Sequence, residues 1–215
     1  PDPSTMRFDR LALDLEALRE HLGLETLDVL GHSAGAIAVQ AWASQHHERV
    51  AGLVLVTPSD RMQGGAREDV EAIRASFQDQ PWYDAAAQAQ HDLEDAPMSQ
   101  VSTLERAVRP FAYGRWDERA QQHAASADRQ CSKRALLGFG AGADQVDIPA
   151  LTAGLRQVTA PVLVVGGSRD GLTGMRSVEL VASCFPNASS AIIDGAGHYP
   201  WVDEPAAFVE AVISR

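Results

Sequence analysis

Between residues 7 and 22, Phe8, Leu11, Leu15, Leu18 and Leu22 recur at alternating steps of three and four. That spacing predicts an amphipathic helix, and Gly23 supplies its stop. The pattern then changes. Thr26-Leu27-Asp28-Val29-Leu30 is short, apolar and partly β-branched, which predicts a strand, and the small residues from Ala34 to Ala43 predict a helix directly after it. A tight turn at Ser33 must join the two. Ala51 to Thr57 and Pro161 to Val165 are continuous apolar runs rather than alternating ones, as expected of parallel strands covered on both faces. Ser190-Ala191-Ile192-Ile193 is a weaker fourth strand. Helical patterns fall around 34–47, 147–158 and 173–184, and a last one starts at Pro205 with Asp203 as a candidate cap. Strands alternating with helices predict an α/β fold with a mostly parallel sheet.

Residues 60 to about 146 break the alternation. They are rich in Gln, Ala and Asp, carry Trp82, Tyr83, Phe111 and Trp116, and offer helical pieces without a buried strand. The expected organisation is therefore a core in two parts, 1–59 and 147–215, with a helical cap inserted at 60–146.

An apolar fraction of 45% over 215 residues suits one packed domain. Eighteen Lys and Arg against 29 Asp and Glu give a net charge of −11, with no basic block, which argues against nucleic acid or an anionic membrane as partner. Cys131 and Cys184 show neither a disulfide framework nor zinc spacing. No apolar run approaches the ~18 residues of a membrane span, so a soluble, cytoplasmic chain is expected. Asn187-Ala188-Ser189 matches a glycosylation acceptor too short to carry weight by itself. The opening Pro1-Asp2-Pro3-Ser4 reads as a mid-chain linker, so a fragment or a processed chain, whose leader would not be visible, is expected.

The candidate chemistry centres on Gly31-His32-Ser33-Ala34-Gly35. With 17 glycines, a G-x-S-x-G match arises by chance in roughly one such chain in ten, but this one sits between a predicted strand and a predicted helix, the context a nucleophile elbow needs. The alternative is an ordinary glycine-rich turn. A serine nucleophile requires a base, and the base a carboxylate to orient it. Among seven histidines, His198 lies in a turn-rich loop, Gly195 to Pro200, just after the last strand. It is either that base or a histidine that steadies its loop. His32 adjoins Ser33 but is poorly placed to fold back on it, and His21, His46, His47, His91 and His123 fall on predicted helices as surface residues. Asp170 follows the strongest strand directly; Asp60 and Asp194 are rival acids.

These motifs together resemble the α/β-hydrolase superfamily, and within it the proline iminopeptidase-like branch of cap-bearing serine hydrolases. The resemblance runs from the leading helix into G-H-S-A-G, through the insertion, to P-V-L-V-V-G-G-S-R-D and G-A-G-H-Y-P-W-V-D-E-P. It implies a triad of Ser33, Asp170 and His198, with the Ala34 backbone N–H as an oxyanion donor. Members of that family begin with about four further strands and a His-Gly-Gly type loop that supplies a second donor; neither is present in this sequence, so an apolar strand edge beside Thr26 to Leu30 is expected. The resemblance further implies cleavage of an acyl bond through an acyl-enzyme, with no metal or organic cofactor. The substrate expected from it is a small molecule or short peptide with a free amino-terminal proline or small residue, whose amine could be met by Glu68, Asp69, Glu71, Asp92, Glu94 or Asp95. A carboxylic ester is the alternative substrate; an acyltransferase and a catalytically inactive binding protein are the alternative classes. The oligomeric state is not readable.

Overall fold

The computed structural model describes residues 3–60, 63, 65, 68–130, 132, 138–139 and 146–214. Four parallel strands, β1 (Leu27–His32), β2 (Val50–Val56), β3 (Val162–Gly167) and β4 (Ala188–Ile193), lie in the order β1-β2-β3-β4. All three pairings are in parallel register. The continuous apolar runs have the cause the sequence suggested, because successive side chains of β2 and β3 feed opposite cores. Leu53, Leu55, Val162 and Val164 pack into one cluster and Val54, Val56, Leu163 and Val165 into another. β4 is a weaker sequence signal because only Ile193 of its residues is fully buried.

The first cluster is covered by α1 (Phe8–His21), α2 (Ala34–Gln45) and α7 (Ile148–Leu155), with Trp42 of α2 at 0% exposure in its middle. Val178 and Val181 of α8 (Arg176–Ala182) join it from the other end of the sheet. α10 (Pro205–Ile213) closes the second cluster with Phe208 and Val212. β1 stands at one end of the sheet, and its Leu30 is 52% exposed.

Two expectations need correction. The apolar stripe of α1 holds at Phe8, Leu11 and Leu15, which pack on the first cluster, but then continues through Ala12 and Arg19 while Leu18 and Leu22 face solvent. The stripe is turned by a polar anchor: Glu16 accepts from the indole N–H of Trp42 at 3.0 Å and pairs with Arg19 at 2.6 Å. Arg19 in turn caps the carbonyl of Leu24. Asp203 does not cap α10; it ends a short helix, α9 (Pro200–Asp203), and its side chain is used elsewhere.

Between β2 and α7 the described residues form no strand. They form α3 (Glu68–Ala75), α4 (Tyr83–Asp92), α5 (Met98–Val108), a 3-10 turn at Arg109–Ala112, and α6 (Glu118–Gln130). This segment has a small core of its own, built on Ile73, Phe77, Ala86 and Phe111, and a second contact cluster that joins Tyr113, Ala120 and Ala124 to Val202. Cys131 and the side chain of Glu68 lie outside the described residues. Among those described, no helix is long and apolar enough to cross a membrane.

Candidate active site

β1 runs straight into α2, and the residue between them takes an unusual conformation. Ser33 has φ 52° and ψ −120°, a region disfavoured for any residue with a Cβ. Its N–H is held by the carbonyl of Val56 at 2.9 Å. The conformation lifts the Ser33 side chain off the carboxyl end of the sheet, while Ala34 begins α2 with one of the amide N–H groups that a helix leaves without an internal partner. The two glycines of the motif are not equivalent. A Cβ on Gly31 would stand 2.9 Å from both the Cα of Ala36 and Cγ2 of Val39, so close packing of strand on helix demands glycine there; a Cβ on Gly35 would meet nothing within 4 Å.

The structure brings Ser33, His198 and Asp170 into one hydrogen-bonded line. Ser33 Oγ is 2.8 Å from His198 Nε2, and His198 Nδ1 is 2.9 Å from Asp170 Oδ2. A carboxylate only accepts, so Nδ1 carries the proton and Nε2 is left to accept from the serine hydroxyl. Asp170 is fully buried, yet every acceptor position is used. Its Oδ1 receives the N–H groups of Leu172 (2.8 Å) and Thr173 (3.1 Å), and Oδ2 also receives the Thr173 hydroxyl (2.6 Å). Burial opposes the charge, but the His198 ring and these donors outweigh it and hold the carboxyl below its usual range. Both ring nitrogens of His198 are thus taken, while Asp194 accepts from Ser168 Oγ at 3.0 Å and the Asp60 carboxylate lies against Gly65.

The histidine loop is stapled to the helical segment. His198 N–H donates to Ala112 O at 2.8 Å, and the Gly197 N–H (2.8 Å) and Gly114 N–H (3.0 Å) both donate to Asp203 Oδ2. The same short stretch reaches the acid loop, where Gly171 N–H donates to Phe111 O at 3.0 Å. Arg115 completes the contact with an ion pair to Glu204 at 2.8 Å. Gly197 has to be glycine, because a Cβ would stand 2.6 Å from Ala112 O. Burial raises the Asp203 carboxyl above its usual value even with its two amide donors.

Two side chains near His198 escape sequence reasoning. His32 places Nε2 3.0 Å from the His198 carbonyl and packs its ring against His198, Tyr199 and Trp201. Burial lowers its pKa to about 4, so the ring is neutral near pH 7. Thr57, just past β2, donates its hydroxyl to the same carbonyl at 3.0 Å. The adjacency of His32 to the G-x-S-x-G serine is a usable signal; Thr57 offers none. His123 is a correction: it is half-buried and shares a 2.8 Å hydrogen bond with the Tyr113 hydroxyl rather than lying on the surface.

Beside Tyr199, a cavity of about 310 Å³ opens between the helical segment and the core, lined by Val108, Ala112, Tyr113, Ala124, Leu172 and Tyr199 among others. The acid that lines it is Glu105, and none of the acids proposed to meet an amine does. Asp69 is instead tied to the Arg176 amide at 2.8 Å, and Glu71, Asp92, Glu94 and Asp95 are exposed. Among the described residues no group of three or more His, Cys, Asp and Glu is arranged to hold a metal ion.

Comparison with known proteins matches residues 1–205 to the model of the alpha/beta hydrolase fold family. A pimeloyl-[acyl-carrier protein] methyl ester esterase of Chromobacterium violaceum is 26% identical over 220 residues, spanning 98% of this chain and 77% of that protein. A protein of the same description from Klebsiella pneumoniae is 31% identical over 189 residues, or 86% of this chain and 67% of its own. Among solved structures, an alpha/beta fold family hydrolase from Bacillus anthracis superposes with a TM-score of 0.66 at 18% identity, covering 99% of this chain and 75% of that one. An esterase from Exiguobacterium antarcticum gives 0.66 at 16% identity, with 97% and 73% covered.

Proposed function

The chain belongs to the alpha/beta hydrolase fold family, and from that premise we propose that it is a serine hydrolase of carboxylic esters. The observation that supports this most is the line of hydrogen bonds from Ser33 Oγ through His198 to a buried, fully satisfied Asp170. Ser33 Oγ attacks the ester carbon as its proton passes to His198 Nε2. The oxygen that becomes negative is met by the Ala34 N–H at the start of α2. Collapse of the tetrahedral adduct breaks the bond to the alcohol, which leaves with the proton from Nε2, and an acyl-Ser33 remains. Water then attacks the acyl carbon, giving its proton to Nε2, and release of the acid returns the proton to Ser33 Oγ. Asp170 keeps Nδ1 protonated throughout and stabilises the imidazolium.

The helical segment 60–146 acts in this reading as a cap, and the cavity beside Tyr199 receives the apolar part of the substrate. The choice of ester over peptide is supported by the two relatives described as pimeloyl-[acyl-carrier protein] methyl ester esterases. The proline iminopeptidase-like assignment therefore gives way to ester hydrolysis.

The test is hydrolysis of p-nitrophenyl esters of graded acyl length by the wild-type chain and by Ser33→Ala, with a fluorophosphonate label located by mass spectrometry. Ser33→Ala should lose up to about 10⁶-fold in kcat, and the label should sit on Ser33. Retained turnover in Ser33→Ala, or faster cleavage of a prolyl amide than of any ester, overturns the reading.

A further inference from the structure

Every backbone polar group of His198 is engaged by a partner from another part of the chain. Its N–H donates to Ala112 O at 2.8 Å, and its carbonyl accepts from Thr57 Oγ1 and from His32 Nε2, each at 3.0 Å. A carbonyl only accepts, so both side chains donate and His32 is the Nε2–H tautomer.

Thr57 makes this bond from an unfavourable backbone. Its φ is 40°, a left-handed conformation that a β-branched residue almost never adopts and that glycine or asparagine would take at far lower cost. The residue is 1% exposed and pinned at the end of β2 by its N–H to Val165 O at 2.6 Å. What threonine supplies that glycine cannot is the hydroxyl, and the hydroxyl is spent on the residue that carries the imidazole.

We propose that Thr57 is a positioning residue for the base: its hydroxyl, acting with the His32 ring, fixes the peptide plane that follows His198 and so sets the reach of Nε2 toward Ser33 Oγ. The proposal rests on the serine-hydrolase reading, in which His198 transfers the proton. Reacting groups must be held to about half an ångström, and a misplacement of about 1 Å can cost about 100-fold in rate. Removal of the Thr57 hydroxyl leaves the carbonyl still bonded to His32, so no buried acceptor is orphaned and the fold survives. The effect therefore falls on proton transfer.

The experiment compares Thr57→Val, Thr57→Ala and Thr57→Ser with the wild-type chain on the p-nitrophenyl ester hydrolysed fastest by the wild type. Thr57→Ala relieves crowding at the positive φ and keeps the test open should Thr57→Val fail to fold. Both hydroxyl-free variants should lose about 10- to 100-fold in kcat, with KM changed by less than about two-fold. Thr57→Ser, which restores the hydroxyl, should return to within about three-fold of wild type. The downfield proton resonance of His198 Nδ1–H should broaden in the hydroxyl-free variants and stay sharp in Thr57→Ser. Wild-type kcat in Thr57→Ala, an equal loss in Thr57→Ser, or a change confined to KM overturns the proposal. The two readings fail separately. Turnover by Ser33→Ala refutes the hydrolase mechanism, whereas an inactive Ser33→Ala beside a fully active Thr57→Ala refutes only the role of Thr57.

Discussion

Ser33 occupies a backbone conformation that costs about 1–3 kcal/mol for a residue with a Cβ, a strain the surrounding structure must hold in place. Two variants separate that strain from chemistry. Ser33→Ala and Ser33→Gly both remove the hydroxyl that faces His198 Nε2, so the loss of that bond cancels between them. Only Ser33→Gly removes the Cβ that makes the conformation unfavourable. Glycine also adds freedom to the unfolded chain, which costs about 0.5–1 kcal/mol relative to alanine. The difference leaves Ser33→Gly more stable than Ser33→Ala by about 1 kcal/mol, or about 2–4 °C in Tm for a chain of this size. Urea unfolding and thermal melts followed by circular dichroism measure it directly. If Ser33→Gly melts at or below Ser33→Ala, the turn stores no strain and the reasoning from its φ and ψ is wrong.

Asp203→Ala should cost about 2–4 kcal/mol in urea unfolding, because it orphans the buried amides of Gly114 and Gly197; Asp203→Asn, which keeps an acceptor oxygen and removes a charge that burial disfavours, should stay within about 1 kcal/mol of wild type. Equal losses in the two variants would refute this account. The hydrogen bond from Arg19, assisted by Trp42, holds Glu16 at a pKa of about 2, below its ordinary 4.5, so its stabilising contribution is complete above pH 4.5 and disappears as pH falls toward 2. Urea unfolding should show Glu16→Gln less stable than wild type at pH 6 and nearly equal to it at pH 2; a gap that persists at pH 2 would place the contribution elsewhere.

The two central strands were legible because each is buried on both faces, which writes a continuous apolar run into the sequence. The turn at Ser33 was legible because a strand, a G-x-S-x-G and a small-residue helix follow one another without a gap. Sequence alone left three acids open, and only the direction of His198 Nδ1 separates Asp170 from Asp60 and Asp194. The stripe of α1 departs from the leucine spacing only at Leu18 and Leu22, because that spacing carries no record of Glu16 turning inward to Trp42, 26 residues away. Asp203 resembled a helix cap because the helix the sequence predicts starts two residues later, while its long-range partner, Gly114, lies 89 residues back. Thr57 was invisible for a different reason. A positive φ leaves no trace in a threonine, and its partner is a backbone carbonyl, a group every residue carries.

The stretch from Phe111 to Arg115 sets a boundary for anyone who wishes to exchange the helical segment between relatives. Phe111 O receives Gly171 of the acid loop, Ala112 O receives His198, Gly114 N–H reaches Asp203, and Arg115 pairs with Glu204. Four of these five residues, all within the insertion by sequence, are bonded to the core loops that carry Asp170 and His198 or to the short helix just after them. A chimera that swaps residues 68–130 as one block replaces the supports of both loops along with the pocket walls. Two separate grafts, one ending at the close of α5 and one beginning at α6, change the pocket and leave those supports native. The modular unit of this fold is thus smaller than the insertion that contains it.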